Sequence, residues 1–463
     1  MDVVACPVPL PSLDSWFPAA EVSAFLADRL DTGKAGHVEN LPRPLRQPAH
    51  VMLIGVGEGD ESGWRAFGAA VARAGAKHPS VSVAIPHDLS EANLRGLAEG
   101  VWLAEYRYRL RDEKPEEARK LQRVVLPGAP TDARMSILDT ARIVVEQTNF
   151  ARDLTNTPSL EKTPEWIVSQ VRERIADGVA VSVREPAQLA AEGFGGILAV
   201  GGGSKRGPRL LELSWDPAGA SEHVVLVGKG ITFDTGGIDI KPVDGMQLMR
   251  KDMGAAATVI AATLAAARLN LPIRITALAP LAENMVSGSA WRSGDVVHHY
   301  GGLTSEVHST DAEGRVVLAD ALAYAVAKLA PDFLIDLATL TGASRVALGT
   351  KTAALFSDNP SLVDSLSAAA TQAGERVWQM PLAEEYAKEV AAEIADLNNA
   401  AGAPGAITAA LYLREFAGDR RDRWAHIDMS APSWTTKEDG ELGKGATGWG
   451  VRTLVRWLAA RAK

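Results

Sequence analysis

The chain has 463 residues, 46% hydrophobic and 23% charged, with a formal net charge of −9. That length exceeds what one hydrophobic core fills, so two domains are expected, and the composition excludes a largely disordered chain. The acidic balance argues against nucleic-acid binding, which rests on clustered Lys and Arg. Cys6 is the single cysteine, so no internal disulfide can form and a reducing compartment is expected.

The opening string Met1-Asp2-Val3-Val4-Ala5-Cys6-Pro7 carries an acid and an early proline where a signal peptide needs a basic start and a longer apolar run. No apolar run is long enough to span a bilayer. The expectation is a cytoplasmic protein with no membrane partner. Short runs rich in β-branched residues then alternate with Ala-rich stretches of helical period, which predicts an α/β protein of two domains, each a mixed or largely parallel sheet flanked by helices. In the first part, 50–56 and 81–85 read as strands, and 64–74 and 91–108 as helices. A loop at Pro127 and Pro130 precedes a long helical pattern over 133–153, carrying Ile137, Leu138, Ala141, Ile143, Val144 and Val145, which Thr157-Pro158 closes. This divides the chain into an N-terminal α/β domain (1–130), a connecting helix (131–157) and a larger C-terminal catalytic domain (158–463). In the latter, 224–227, 273–278, 333–337 and 424–427 read as buried strands, with helices after Asp252, Arg315 and Gly405.

Three short segments concentrate charge beside glycine turns: Gly228-Lys229-Gly230-Ile231-Thr232-Phe233-Asp234, Lys251-Asp252-Met253-Gly254 and Thr310-Asp311-Ala312-Glu313-Gly314-Arg315. Four carboxylates of this kind suit two divalent cations held roughly 3.5–4 Å apart. In open α/β sheets ligands gather at the carboxyl ends of strands. Lys229 and Asp234 follow the strand 224–227, Asp252 begins the helix through 255–268, and 311–315 form a turn before the helix 316–329. Taken alone, each acid reads more readily as a helix cap, as for Asp252 and Asp311, or as a solvated charge. Lys229 is costly to bury unless it pairs with acids or loses its proton; the simple alternative to a metal ligand is a salt bridge to Asp234. Lys241 and Arg315 add two cations to the same rim, and Arg315 can present a fork to a planar oxyanion.

These strings resemble the signatures of the leucine aminopeptidase (cytosol aminopeptidase) family. The likeness extends through Asn149-Phe150-Ala151-Arg152-Asp153-Leu154, Asp336-Leu337-Ala338-Thr339-Leu340-Thr341-Gly342-Ala343, Trp424-Ala425-His426-Ile427-Asp428 and Lys444-Gly445-Ala446-Thr447-Gly448. It implies a metal-dependent exopeptidase holding two divalent ions per chain, Zn²⁺ or Mn²⁺ with Mg²⁺ or Co²⁺ as further options. By this resemblance Lys229, Asp234, Asp252, Asp311 and Glu313 are the metal ligands, with Asp234 and Glu313 bridging. Lys241 and Arg315 are the catalytic pair, Lys241 stabilising the oxyanion and Arg315 holding a bicarbonate that relays the proton. The resemblance further implies that a water activated by both ions would attack the first peptide carbonyl while the substrate's free amine is anchored. Met249, Thr339, Leu340, Gly342 and Ala446 form the pocket for the first side chain. The resemblance also implies a homohexamer of two stacked trimers acting on short peptides.

Two positions depart from the family pattern: Ser309 stands where asparagine is usual, and Ala255 where glycine is frequent. Neither is a ligand, so metal preference and rate are affected before reaction type. Other readings are a nucleotide-binding enzyme, from Gly55-Val56-Gly57-Glu58-Gly59, where Glu58, Asp60 and Glu61 would repel a pyrophosphate; a two-metal phosphatase; and a catalytically weak family member with an oligomeric or DNA-binding role.

Overall fold

Valine, isoleucine and leucine runs form the buried strands of two main sheets. The structure is a computed structural model that describes residues 3–8, 19–86, 88–112, 114, 118–126, 128 and 131–462. Met1, Asp2 and the expected loop prolines Pro127 and Pro130 lie outside the described residues. The chain divides into two compact units, Met1–Glu146 with Thr435–Gly445, and Gln147–Trp434 with Ala446–Lys463.

The first unit contains β1 (Val3–Val8), α1 (Ala19–Leu26), β2 (Val38–Pro42), β3 (His50–Gly55), α2 (Glu61–Ala74), β4 (Ser80–Val83), α3 (Glu91–Glu105) and β5 (Arg123–Val125). Its sheet runs β2-β3-β1-β4-β5, parallel except for β2. Asp60 and Ser90 cap α2 and α3 by accepting from the third residue on. The helix expected to reach 108 stops at Glu105, where Tyr106 turns extended. Arg73 of α2 donates to the carbonyls of Gly440 and Leu442, so the segment 435–445 belongs to this unit through its backbone. Sequence order alone does not announce that return. The long helix α4 (Asp132–Asn156) covers the expected connector and contributes residues to both units.

The second unit continues with α5 (Pro164–Glu173), β6 (Val179–Arg184), α6 (Pro186–Glu192), α7 (Gly195–Gly201), β7 (Arg209–Trp215), β8 (His223–Gly228), β9 (Gly230–Asp234), α8 (Val243–Met246), α9 (Gly254–Arg268) and β10 (Arg274–Asn284). There follow β11 (Val296–His298), β12 (Thr304–Glu306), α10 (Glu313–Tyr324), β13 (Phe333–Ala338), α11 (Gly342–Leu348), β14 (Thr352–Phe356), α12 (Pro360–Ala373), β15 (Arg376–Gln379), β16 (Leu397–Asn398), α13 (Gly405–Phe416), β17 (Trp424–Asp428) and α14 (Val451–Arg461). The large sheet runs β15-β14-β17-β13-β8-β10-β7-β6, with β9 also on β10. Its centre, β17, β13, β8 and β10, is parallel, so four carboxyl ends share one edge. Both faces are covered: α9 is buried along nearly its whole length, and α10 and α13 join the core on Val225, Val227, Leu334 and Trp424.

Two expected boundaries shift. Asp252 does not begin a helix; it ends the short 3₁₀ turn Met249–Lys251, and α9 starts at Gly254. The turn expected over 311–315 is already helical from Glu313, which puts Glu313 and Arg315 in the first turn of α10. Among the described residues no helix is long and apolar enough to cross a membrane.

Candidate metal centre

β8 and β9 are one line of chain interrupted at Lys229. β8 pairs with β10 up to Leu278, β9 resumes at Leu281, and between them the Lys229 N–H donates to Leu337 O on the other side (3.0 Å). This break turns the lysine out of the ladder at the carboxyl edge of the sheet. The ammonium, 4% exposed, meets Asp252 Oδ2 and Glu313 Oε1 at 2.8 Å each and donates to Thr339 O at 3.2 Å. The expected alternative, a Lys229–Asp234 salt bridge, is not the pairing formed. Asp234 Oδ2 instead faces Lys241 Nζ at 2.8 Å, and Lys241 also contacts Asp311.

The segment after β9 is shaped to bring Lys241 back to Asp234. Gly236 takes φ +87°, a conformation open to glycine, and its N–H donates to Asp234 Oδ1 (2.8 Å). Thr310 locks this loop to the next acidic turn. Its hydroxyl donates to Gly236 O (2.6 Å) and accepts from Asp239 N (2.9 Å), while its N–H donates to Asp239 Oδ2 (2.7 Å). Asn399, fully buried, holds the preceding backbone: Oδ1 accepts from His308 N (2.8 Å) and Ser309 N (3.2 Å), and Nδ2 donates to Ser309 O (2.7 Å). Ser309 Oγ accepts from Asp311 N (3.1 Å), so the departure at 309 still supplies a local acceptor for the acid's backbone. Ala255, the second departure, is fully buried in the first turn of α9.

The electrostatics are those of buried charge on both sides. Burial and the neighbouring Glu313 push Asp234 up to about 6 against the pull of Lys241 and Lys229. Burial likewise raises Asp252 and Glu313. For Lys229 burial pulls downward, but Asp252, Glu313 and Asp234 outweigh it and hold the amine above its ordinary value; Lys241 is raised the same way by Asp234 and Glu313.

The donor set fits a divalent metal. One oxygen each of Asp234, Asp252 and Glu313 lies within 4.8 Å of the others, and all three residues are buried. Glu313 Oε2 accepts no hydrogen bond in that burial, where an unpaired carboxylate oxygen is costly. Four carboxylates, counting Asp311, face two ammonium groups. Oxygen donors joined by one amine suit Mn²⁺ or Zn²⁺. Asp311 is more exposed than the other three and stands outside their group, joined to it through Lys241.

Arg315 lies beside Glu313, buried, with Nε and Nη1 taking no hydrogen bond; burial lowers it while Tyr412, Glu313 and Asp428 oppose the shift. Among the expected pocket residues, Thr339 is tied to the acids: its hydroxyl donates to Asp252 Oδ1 (2.8 Å). Leu340 N donates to Asp428 Oδ1 (3.2 Å), and half-buried Met249 opens the turn that ends at Asp252. Gly342 begins α11 at the surface. Ala446 is held by α4, its N–H donating to Asn156 Oδ1 and its carbonyl accepting from Arg152 Nε, both at 3.0 Å. Sequence reasoning missed Asn284, Asp239, Asn399 and Lys162. Of these, Asn284 carried a signal, a polar residue closing an apolar strand at the rim where the acids collect. Lys162, fully buried, donates to the carbonyls of Thr155 and Arg250 and so fastens the turn before Asp252.

Residues 149–455 match the model of the cytosol aminopeptidase family, catalytic domain. A probable cytosol aminopeptidase of Corynebacterium glutamicum is 42% identical over 456 residues, covering 96% of this chain and 89% of that protein; one of Micrococcus luteus is 43% identical over 449 residues, covering 91% and 86%. Among solved structures, the bottromycin maturation enzyme BotP in complex with Mn superposes with a TM-score of 0.88 at 36% identity over all of both chains. A mutant of tomato leucine aminopeptidase gives 0.85 at 30% identity, covering 99% of this chain and 94% of that one. The chain that gathers Lys229, Asp234, Asp252 and Glu313 at one sheet edge therefore belongs to the cytosol aminopeptidase family.

Proposed function

We propose that this chain is a metal-dependent aminopeptidase, a hydrolase that removes the N-terminal residue of short peptides in the cytoplasm, with leucine or another apolar residue preferred. The observation that carries the reading is the buried meeting of Asp234, Asp252 and Glu313 around Lys229, with Glu313 Oε2 left without a hydrogen bond. Two divalent ions, held by Lys229, Asp234, Asp252, Asp311 and Glu313, supply Lewis acidity and an activated water when bound. Lys241, a partly exposed ammonium beside Asp234, offers the donor for an oxyanion at the scissile carbonyl. Arg315, with two guanidinium nitrogens unpaired, is the anchor for a bicarbonate that carries the proton. Met249, Thr339, Leu340, Gly342 and Ala446 shape the pocket for the first side chain.

The reading includes self-association as a homohexamer. Light scattering tests the mass.

The experiment for the activity is release of free amino acids from a dipeptide panel by chelator-stripped protein resupplied with Zn²⁺, Mn²⁺, Mg²⁺ or Co²⁺. Release restored by one of these ions is expected. Phosphate release from a monoester without amino-acid release would overturn the proposal.

A further inference from the structure

We infer that Asn284 is a positioning residue that holds Asp234 and the Thr310–Asp311 turn in one fixed relation, the relation in which their acids meet at the metal centre. The inference rests on the metal-centre reading above and concerns a residue that touches no substrate.

Asn284 ends β10 and is fully buried. Its carboxamide uses both N–H donors and its oxygen. Nδ2 donates to Asp234 Oδ1 (2.8 Å) and to Thr310 O (3.0 Å), and Oδ1 accepts from Trp291 Nε1 (3.3 Å). Its own carbonyl accepts from Thr235 N (3.0 Å) and Thr235 Oγ1 (2.9 Å), which pins the residue after Asp234 as well. Only one orientation of the amide satisfies all three side-chain partners, because two of them are acceptors and one is a donor.

The two segments it joins are far apart in sequence and carry different acids. With Asp234 Oδ1 committed to Asn284 and Gly236, Oδ2 is the oxygen left to face Lys241 and the centre. With Thr310 O committed, the turn that presents Asp311 and Glu313 is tied to the end of β10. A carboxylate at 284 would set acceptors against Asp234 and Thr310 O. A serine would keep one donor, and an alanine none. Groups that orient metal-binding side chains in this way typically change metal affinity by about 10- to 100-fold when removed.

The test is calorimetric titration of Mn²⁺ into chelator-stripped full-length protein. Asn284→Ser and Asn284→Ala should bind about 10- to 100-fold more weakly, alanine the weaker of the two. The control is Ile275→Ala, at the opposite end of the same strand, which lowers thermal stability without touching the carboxamide; it should keep the affinity of the unmodified chain. Trp291→Phe, which removes one of the three side-chain bonds and leaves the fold least disturbed, should weaken binding in the same direction by less, and it carries the test if either Asn284 variant fails to fold. Unchanged affinity in the Asn284 variants, or in Trp291→Phe where it stands alone, overturns the inference. So does a loss matched by Ile275→Ala. An unmodified chain that binds no Mn²⁺ overturns the metal-centre reading itself, and this inference with it.

Discussion

Gly314 lies flat against the aliphatic end of Lys229: a β-carbon built at 314 would stand 2.6 Å from Lys229 Nζ and 2.5 Å from Cε. The lysine therefore reaches Asp252 and Glu313 past the second residue of α10, which has no side chain. Gly314→Ala should expel the amine from the centre and lower both metal content and turnover, while the sheet core keeps the fold. Elemental analysis beside a dipeptide assay checks it; two bound ions with normal turnover would refute the contact's importance.

Asp234→Asn and Glu313→Gln each remove one negative charge from the buried group of three. Loss of metal and of activity together is expected, with the far-ultraviolet circular dichroism unchanged. Retention of two ions per chain at near-normal turnover would remove these residues from the ligand set.

Lys241→Ala is expected to separate binding from chemistry. Metal content should persist, since the three buried acids and Lys229 remain, while the rate falls on the order of 10²–10³ for one lost oxyanion donor. Arg315→Ala should be milder and should abolish stimulation by added bicarbonate. Equal stimulation of variant and unmodified protein would disprove Arg315 as the anchor.

Metal uptake should be proton-coupled. Burial raises Asp234, to about 6, and also Asp252 and Glu313, while Lys229 holds its proton more tightly than a free amine. Every one of these groups must be deprotonated to bind an ion, so Mn²⁺ affinity rises with pH and binding releases protons. The stripped protein behaves oppositely. A carboxyl raised by folding contributes stability below the ordinary Asp range, and that contribution is lost as pH climbs through about 6. Calorimetry at several pH values in buffers of different protonation enthalpy measures the release; affinity independent of pH between about 5 and 8 would contradict it.

Substrate choice should be graded. Leucine and methionine are expected to outrank glycine, aspartate and lysine at the first position, because one methylene in an apolar pocket changes the barrier by only about 1–3 kcal/mol. Ala446→Trp should shift preference toward alanine and glycine. An unchanged ranking would clear Ala446 of the pocket.

The central strands were legible because fully buried parallel strands read as unbroken apolar runs, as in Val224-Val225-Leu226-Val227. The acids were legible because charge beside glycine at strand ends is conspicuous. What holds the acids was not. A carboxamide such as Asn284 carries no charge and its partners, Asp234 and Thr310, come from other segments, so only the fold discloses the bridge. The starts of α9 and α10 were misplaced because Gly254 and Gly314 read as turn residues, whereas close packing demands the small side chain at 314. The return of 435–445 to the first unit was invisible because Arg73 stands 367 residues from Gly440 and 369 from Leu442, whose carbonyls it meets together with the Glu438 carboxylate.

The strand order also sets how much of the chain must exist before the sheet around the centre can close. All the charged residues of the centre have been made once Arg315 has been added, but β13 gains its neighbour β17 only with residues 424–428, and Arg152 finds its acceptor only when Ala446 arrives. A growing chain on the ribosome therefore carries the acids on a sheet that still lacks the strand between β13 and β14. The surroundings of the centre are finished only after residues far downstream of the acids have joined them.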